Sequence, residues 1–373
     1  MKTVVTMAVA LALGSIGVYA QRGFAPPTKT PSKLRSVPAE TTAAKVKDPN
    51  WKAPRTAWGQ PDLSGIWTSD DMRGIPATRP AAEKDRESLT PEEFARRAGG
   101  DEANRDRAVN QETVLRNEFG VRTFGYTSFV VDPPDGQMPA LTPAGQARQR
   151  ATFGVGTFGG GPWNDFSNFT LYDRCITRGI AGIFPVLYGN GLRIMQTPDE
   201  VIVSYEMIHD TRVIYLDGRP HVGPKIRQYM GNSVGHWEGD TLVVDTTNFT
   251  DLVGAFNGPN SEKLRVTERF TRIDPDMIDY RIRIDDPVMY TAPFTIRYTI
   301  THQPNYQLYE YSCHEGNSAV RNALAGERAY DRAVAEAIKA GKPIPTRAPT
   351  GMEVYTGQNV EGREAVREFG TGR

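Results

Sequence analysis

The alternation of apolar and polar positions organises this chain around its middle. From about Leu192 to Tyr311, short runs rich in β-branched and aromatic residues succeed one another between turn residues, with no helical period among them. Leu192 to Thr197, Glu200 to His209 and Thr211 to Leu216 read as strands, with Pro198-Asp199 and Asp217-Gly218 as turns. Ile226 to Met230, Val234 to Trp237 and Thr241 to Thr247 continue the series, the last two around a Glu238-Gly239-Asp240 turn. Lys263 to Ile273 and Met277 to Ile284 form a hairpin about Asp274-Pro275-Asp276, and Phe294 to His302 with Tyr306 to Cys313 end the set. With Gly65 to Thr68 that makes about ten strands, near the number that closes a barrel around one small ligand or a filled core. The expected fold is mainly β, an antiparallel meander closing into a lipocalin-like barrel, with a two-sheet sandwich as the alternative.

Helical signals flank this region. Thr90-Pro91-Glu92-Glu93 has Thr as N-cap, Pro at the first helical position and Glu closing a capping box, predicting a helix that ends near Gly99-Gly100. A second, highly charged helix is predicted from Glu102 to about Asn117, and a short one from Thr142-Pro143 through Gln149. Between them Thr127 to Asp132 reads as a strand stopped by Pro133-Pro134-Asp135-Gly136. Asn317-Ser318 caps a last helix, Ala319 to about Ala340, whose Val320, Leu324, Tyr330, Val334 and Ile338 fall roughly on one face. Residues 56–340 are thus expected to form one barrel-like domain, with a helical insertion at about 82–150 and a C-terminal helix at about 318–340.

The ends carry different information. Lys2, the apolar run from Val4 to Val18 and Val18-Tyr19-Ala20 have the form of an export signal, residues 1–20. Residues 21–55 read as a flexible leader and 341–373 as a loose tail, both rich in Pro, Thr and Gly or Ala without periodicity. No later stretch is apolar for long enough to span a bilayer. The expected location is periplasmic or secreted. Export gives meaning to the only two cysteines, Cys175 and Cys313, which in an oxidising compartment are expected to pair.

Composition narrows the partners. Forty-four Lys and Arg balance 44 Asp and Glu, so no long-range field draws nucleic acid. Two motif matches fail on context. Gly154 to Gly159 fits GxGxxG but follows a helix instead of a strand, and Gly231 to Gly235 fits GxSxG but leads into a hairpin instead of a helix. Neither a cofactor nor a metal site is implied, because no two histidines share one element at ligand spacing.

Asp132-Pro133-Pro134-Asp135-Gly136, Arg174-Cys175-Ile176-Thr177-Arg178-Gly179, Trp237-Glu238-Gly239-Asp240-Thr241 and Cys313-His314-Glu315-Gly316-Asn317, in this order, resemble a large group of exported bacterial proteins. The resemblance spans about residues 57–330. It implies a location outside the cytoplasm and a β-rich, lipocalin-like domain, and it carries no catalytic assignment.

Candidate chemistry therefore rests on residue types. A small-molecule ligand, apolar or aromatic, is expected in a barrel lined by Trp67, Tyr205, Trp237 and Tyr309, with Arg212 near a strand end. The alternative is an acid/base enzyme, a hydrolase or lyase, using His314 with Glu315, or His209, beside a carboxylate. His314 follows a cysteine expected to be crosslinked, which would hold it rigidly. Alternation would separate Glu206 from His209 unless a bulge intervenes. Arg281 and Arg283 are expected on an outer face of cross-strand ion pairs. A structural envelope protein presenting its charged helices is the remaining alternative.

Overall fold

Side chains alternate across each strand between an enclosed interior and an outer face, and that alternation builds the molecule. A computed structural model describes residues 51–83, 86–110, 120–153, 163–180, 185–186, 188–252, 259–303 and 306–346. The expected export signal, most of the expected leader, the GxGxxG stretch and nearly all of the tail lie outside the described residues. The strands are β1 (Gly65–Thr68), β2 (Val130–Asp132), β3 (Gly191–Gln196), β4 (Glu200–Tyr205), β5 (Thr211–Tyr215), β6 (Asn232–Glu238), β7 (Thr241–Thr247), β8 (Arg265–Asp274), β9 (Met277–Asp285) and β10 (Phe294–Thr301). Because β1 pairs with both β3 and β10, nine strands close into a barrel. The β1–β10 seam rests on one register pair, Thr68 with Thr301, and β2 covers β10 beside Thr295 and Ile296.

In β9 the alternation is plain: Ile278, Tyr280, Ile282 and Ile284 are buried while Arg281 and Arg283 face outward, each with a neighbouring acid. Aromatic rings stack across the interior, Phe270 on Tyr280 at 4.2 Å, Tyr280 towards Tyr298 at 6.2 Å and Phe129 against Tyr298 at 4.7 Å between centroids. These rings join Leu192, Ile194, Val203, Ile214 and Val244 in one contiguous cluster. Burying each such side chain contributes roughly 1.5–3 kcal/mol. The barrel is thus filled by its own side chains.

One ion pair lies inside that apolar filling. Arg212 and Glu268 meet through two bonds of 2.6 Å, and the Tyr280 hydroxyl donates to the same carboxylate. Burial works against the Arg212 charge, but Glu268 outweighs it and holds the guanidinium firmly protonated, while burial pushes the Tyr205 phenol beside it up to about 12.

Several expected elements are corrected. Ile226 to Met230 forms no strand. The Asn248 amide donates to the carbonyls of Val222, Gly223 and Ile226, so side-chain bonds take the place of a ladder. With that strand missing the direction of the chain no longer alternates, and β5 and β6 pair in parallel through Ile214 with Ser233 and Tyr215 with Val234. Tyr306 to Cys313 is likewise not a strand. Helix α1 (Pro91–Asn110) runs straight through Gly99-Gly100. Arg97 donates to the carbonyls of Phe124 and Tyr126 before the glycines and Asp101 accepts from Thr123 after them, so tertiary anchors override two weak helix formers. Its capping box is as expected, with Glu93 amide to Thr90 hydroxyl at 3.3 Å and Thr90 amide to Glu93 carboxylate at 2.8 Å.

Helix α2 (Pro143–Phe153) extends past Gln149. Helix α3 (Ala319–Lys339) keeps Glu327 and Ala337 buried but leaves Ile338 exposed. No helix among the described residues is long and apolar enough to cross a membrane.

Candidate functional site

Polar and titratable side chains collect where β1 ends, β3 begins and β4 turns into β5. After β1 the chain enters a short 3-10 turn, Asp70–Met72, whose two acids are both buried. Asp70 accepts from the Thr68 hydroxyl and from the Asn190 amide, each at 2.7 Å. At the end of β4, buried Glu206 accepts from the Tyr306 hydroxyl at 3.0 Å. Asp210, at the start of β5, accepts from Thr177. The segment carrying Tyr306 lies directly on β3: a Cβ on Gly191 would come within 2.6 Å of the Tyr306 hydroxyl oxygen. Only glycine allows so close an approach.

Crosslinking assembles the other side of this mouth. Cys175 and Cys313 form the expected disulfide, Cα to Cα 5.7 Å across 138 residues. It brings Tyr311 beside the Arg174-to-Gly179 segment, where the Arg178 guanidinium sits 5.6 Å from the centre of the Tyr172 ring. Tyr311 stacks on Tyr188 at 6.1 Å between centroids. Desolvation lowers the pKa of Arg178, and the groups that bear on its charge are the phenols of Tyr172, Tyr311, Tyr298 and Tyr188. Burial raises Tyr172 and Tyr311.

Three carboxyls at this mouth share one perturbation. Burial raises Asp70 against its bonds to Thr68 and Asn190, Glu206 against Tyr306, and Asp210 against Thr177. Strain collects here too. Of the non-glycine residues with positive φ, Cys175 (56°), Ile208 (68°) and His209 (57°) all lie at this mouth, and Asn248 lies elsewhere.

A carboxyl whose folded pKa is raised holds a proton that the unfolded chain gives up, so it costs stability above the unfolded value and more as pH climbs towards the folded one. The double variant Asp70→Asn, Glu206→Gln is therefore expected to melt higher than the parent at pH 7. The difference should vanish below about pH 4, the ordinary carboxylate range. Thermal melts across that interval check it, and a lower melting temperature at pH 7 would contradict it.

The sequence-derived candidates are distributed unevenly. Tyr205 and Arg212 are inside the barrel, bonded into the Glu268 knot. Trp67 is buried with its indole N–H on the Leu63 carbonyl, and Trp237 is half-buried against the core. Tyr309 has an exposed ring. His314 and Glu315 are exposed beside the disulfide. Exposed His209 caps a 3-10 turn, Met207–His209, in place of the expected extended strand, and its amide donates to the Glu206 carbonyl at 3.3 Å.

The other histidines are not part of this cluster. His221 lies between Asn232 and Asp245, His236 meets Glu238, and His302 meets the Ile66 carbonyl. Among the described residues, no group of three or more His, Cys, Asp or Glu is placed to hold a metal ion. In the GxSxG match, buried Ser233 bonds to Thr246 within the barrel wall, at 2.9 Å.

Sequence reasoning missed Asp70, Tyr172, Tyr188 and Tyr311 and did not single out Arg178. One signal was present: pairing Cys175 with Cys313 brings the segments that carry Tyr172 and Arg178 and the segment that carries Tyr311 to one place. Fold and site together define a filled, nine-stranded mixed β-barrel with a polar, disulfide-anchored mouth. Compared with protein-family models, curated proteins and solved structures, the chain shows no match.

Proposed function

We propose that the protein is an exported small-molecule-binding protein of the cell envelope, and that its ligand, an aromatic molecule bearing an anionic group, sits at the barrel mouth. The observation that carries this reading is the Arg178 guanidinium lying 5.6 Å from the centre of the Tyr172 ring, on the side of the mouth where Tyr188 and Tyr311 stack. Rings supply flat apolar contact, and a partly desolvated guanidinium gains from an arriving anion. Because the interior is filled, the ligand meets the barrel at its end. The export signal, the disulfide and the resemblance to exported bacterial proteins support the location.

The test uses the fluorescent aromatic sulfonate anilinonaphthalene sulfonate on the purified mature protein. Arg178→Met is expected to weaken its binding at least about tenfold, the loss of one charge-assisted contact, with little change in melting temperature. Unchanged affinity in that variant would remove the mouth from consideration.

A second reading, an acid/base enzyme, is favoured by the three raised carboxyls and the strained backbone at the same place. There Glu206, instead of exposed His314 or His209, is the proton donor. Turnover of chromogenic esters or glycosides that disappears in Glu206→Gln while sulfonate binding persists would separate this reading from simple binding.

A further inference from the structure

On the opposite side of the barrel wall from the core, β8, β9, β10 and β2 frame an outer groove of about 480 Å³. That volume is typical of a small-ligand site. Arg269 stands directly across from Arg281, and Arg281 directly across from Arg297, so three guanidiniums occupy one cross-strand row. The next row is Thr267, Arg283 and Thr295. Like charges set directly opposite one another destabilise a sheet, so strand pairing alone does not favour this row.

Acids restrain each arginine from the edge. Glu238 holds Arg269 at 2.8 Å, Asp285 holds Arg283 at 2.9 Å, and Asp279 holds both Arg281 at 2.9 Å and Arg297 at 2.6 Å. Those three acids are not in the groove lining. The acids that are, Glu87 and Asp132, belong to the β2 side. The groove therefore has a cationic wall over β8 and β9 and an anionic wall at β2. From β8 to β2 is three strand spacings, about 14 Å, and with side chains reaching in from both walls the remaining length suits two or three extended residues at about 3.5 Å each.

We infer that this groove binds a short zwitterionic peptide, its carboxylate on Arg269, Arg281 and Arg283 and its ammonium towards Glu87 and Asp132. The site is separate from the mouth and does not depend on the ligand held there. Arg297, next to Tyr126 and bonded to Asp279, shapes the floor between the two walls.

Titration calorimetry with triglycine, N-acetyl-triglycine and triglycine amide tests it on the full mature chain. Triglycine should bind saturably, and blocking either end should weaken it at least tenfold. Arg281→Ala should weaken triglycine and its acetylated form by the same factor. Asp132→Asn, on the exposed anionic wall, should weaken only peptides with a free ammonium. Absence of saturable triglycine binding, equal binding of all three peptides, or an Asp132→Asn variant that binds triglycine as the parent does would each overturn the inference. Melting curves of both variants confirm that the fold is retained.

Discussion

Glu268→Ala should be the most damaging single substitution in the barrel, lowering stability by about 3–5 kcal/mol, because it strands the Arg212 charge in an apolar interior. Arg212 is 5% exposed and Glu268 fully buried, so water cannot take over the lost bonds. Tyr280 would lose its acceptor at the same time. Against a net stability of about 5–15 kcal/mol, that loss would leave a marginal protein.

Removing both charges should behave differently. Nε of Arg212 has no hydrogen-bond partner among the described residues, so the pair is incompletely satisfied. The double variant Arg212→Met, Glu268→Leu is therefore expected to recover most of the loss, and replacements of this kind are often neutral or stabilising by about 1–4 kcal/mol. Denaturant unfolding of the parent, single and double variants gives these differences directly. A Glu268→Ala protein within about 1 kcal/mol of the parent would mean that water reaches the interior, contrary to the packing seen.

Breaking the Cys175–Cys313 crosslink has the second large effect. Releasing a loop of 138 residues is expected to remove about 5 kcal/mol in the chain-entropy account. The structure adds a consequence that loop length does not contain. Cys313 is two residues from Tyr311, and Asn317 donates to the Asp173 carbonyl at 3.0 Å, so the bond holds the tyrosine wall against Arg178. Reduction, or Cys175→Ser with Cys313→Ser, should therefore weaken sulfonate binding at the mouth at least tenfold even under conditions where circular dichroism still shows the barrel. If binding survives with the barrel intact, the crosslink serves stability alone. The two readouts also separate the mouth from the outer groove, whose residues belong to β8, β9, β10 and β2 with Glu87 and include neither the tyrosines nor the cysteines of the mouth.

The Asp70, Glu206 and Asp210 carboxyls have the opposite energetic sign from the barrel core. Their burial costs stability at neutral pH, and the strained turn through Ile208 and His209 adds to that cost. Residues held at a loss of stability in one place support the proposal that this mouth is a binding or catalytic site.

Much of the architecture was determined by the sequence alone, because it rests on local periodicity. Period-two runs located most strands, Asp274-Pro275-Asp276 marked the β8–β9 hairpin, Thr90 to Glu93 set a helix start, and the two cysteines, read with the export signal expected at the N-terminal end, implied their bond. The outward orientation of Arg281 and Arg283 was also legible, since alternation opposes them to buried Tyr280 and Ile282, but their acids, Asp279 and Asp285, lie on their own strand instead of across the sheet as expected. What only the tertiary structure decided depends on residues far apart in the chain. Closure into a barrel instead of a sandwich hangs on Thr68 meeting Thr301, and the parallel β5–β6 step on an Asn248 amide that replaces a strand. The mouth gathers Asp70, Arg178, Tyr188, Glu206, Tyr306 and Tyr311 from separate segments. Its chemistry comes from desolvation, a property of the closed surface that no local pattern of residues carries.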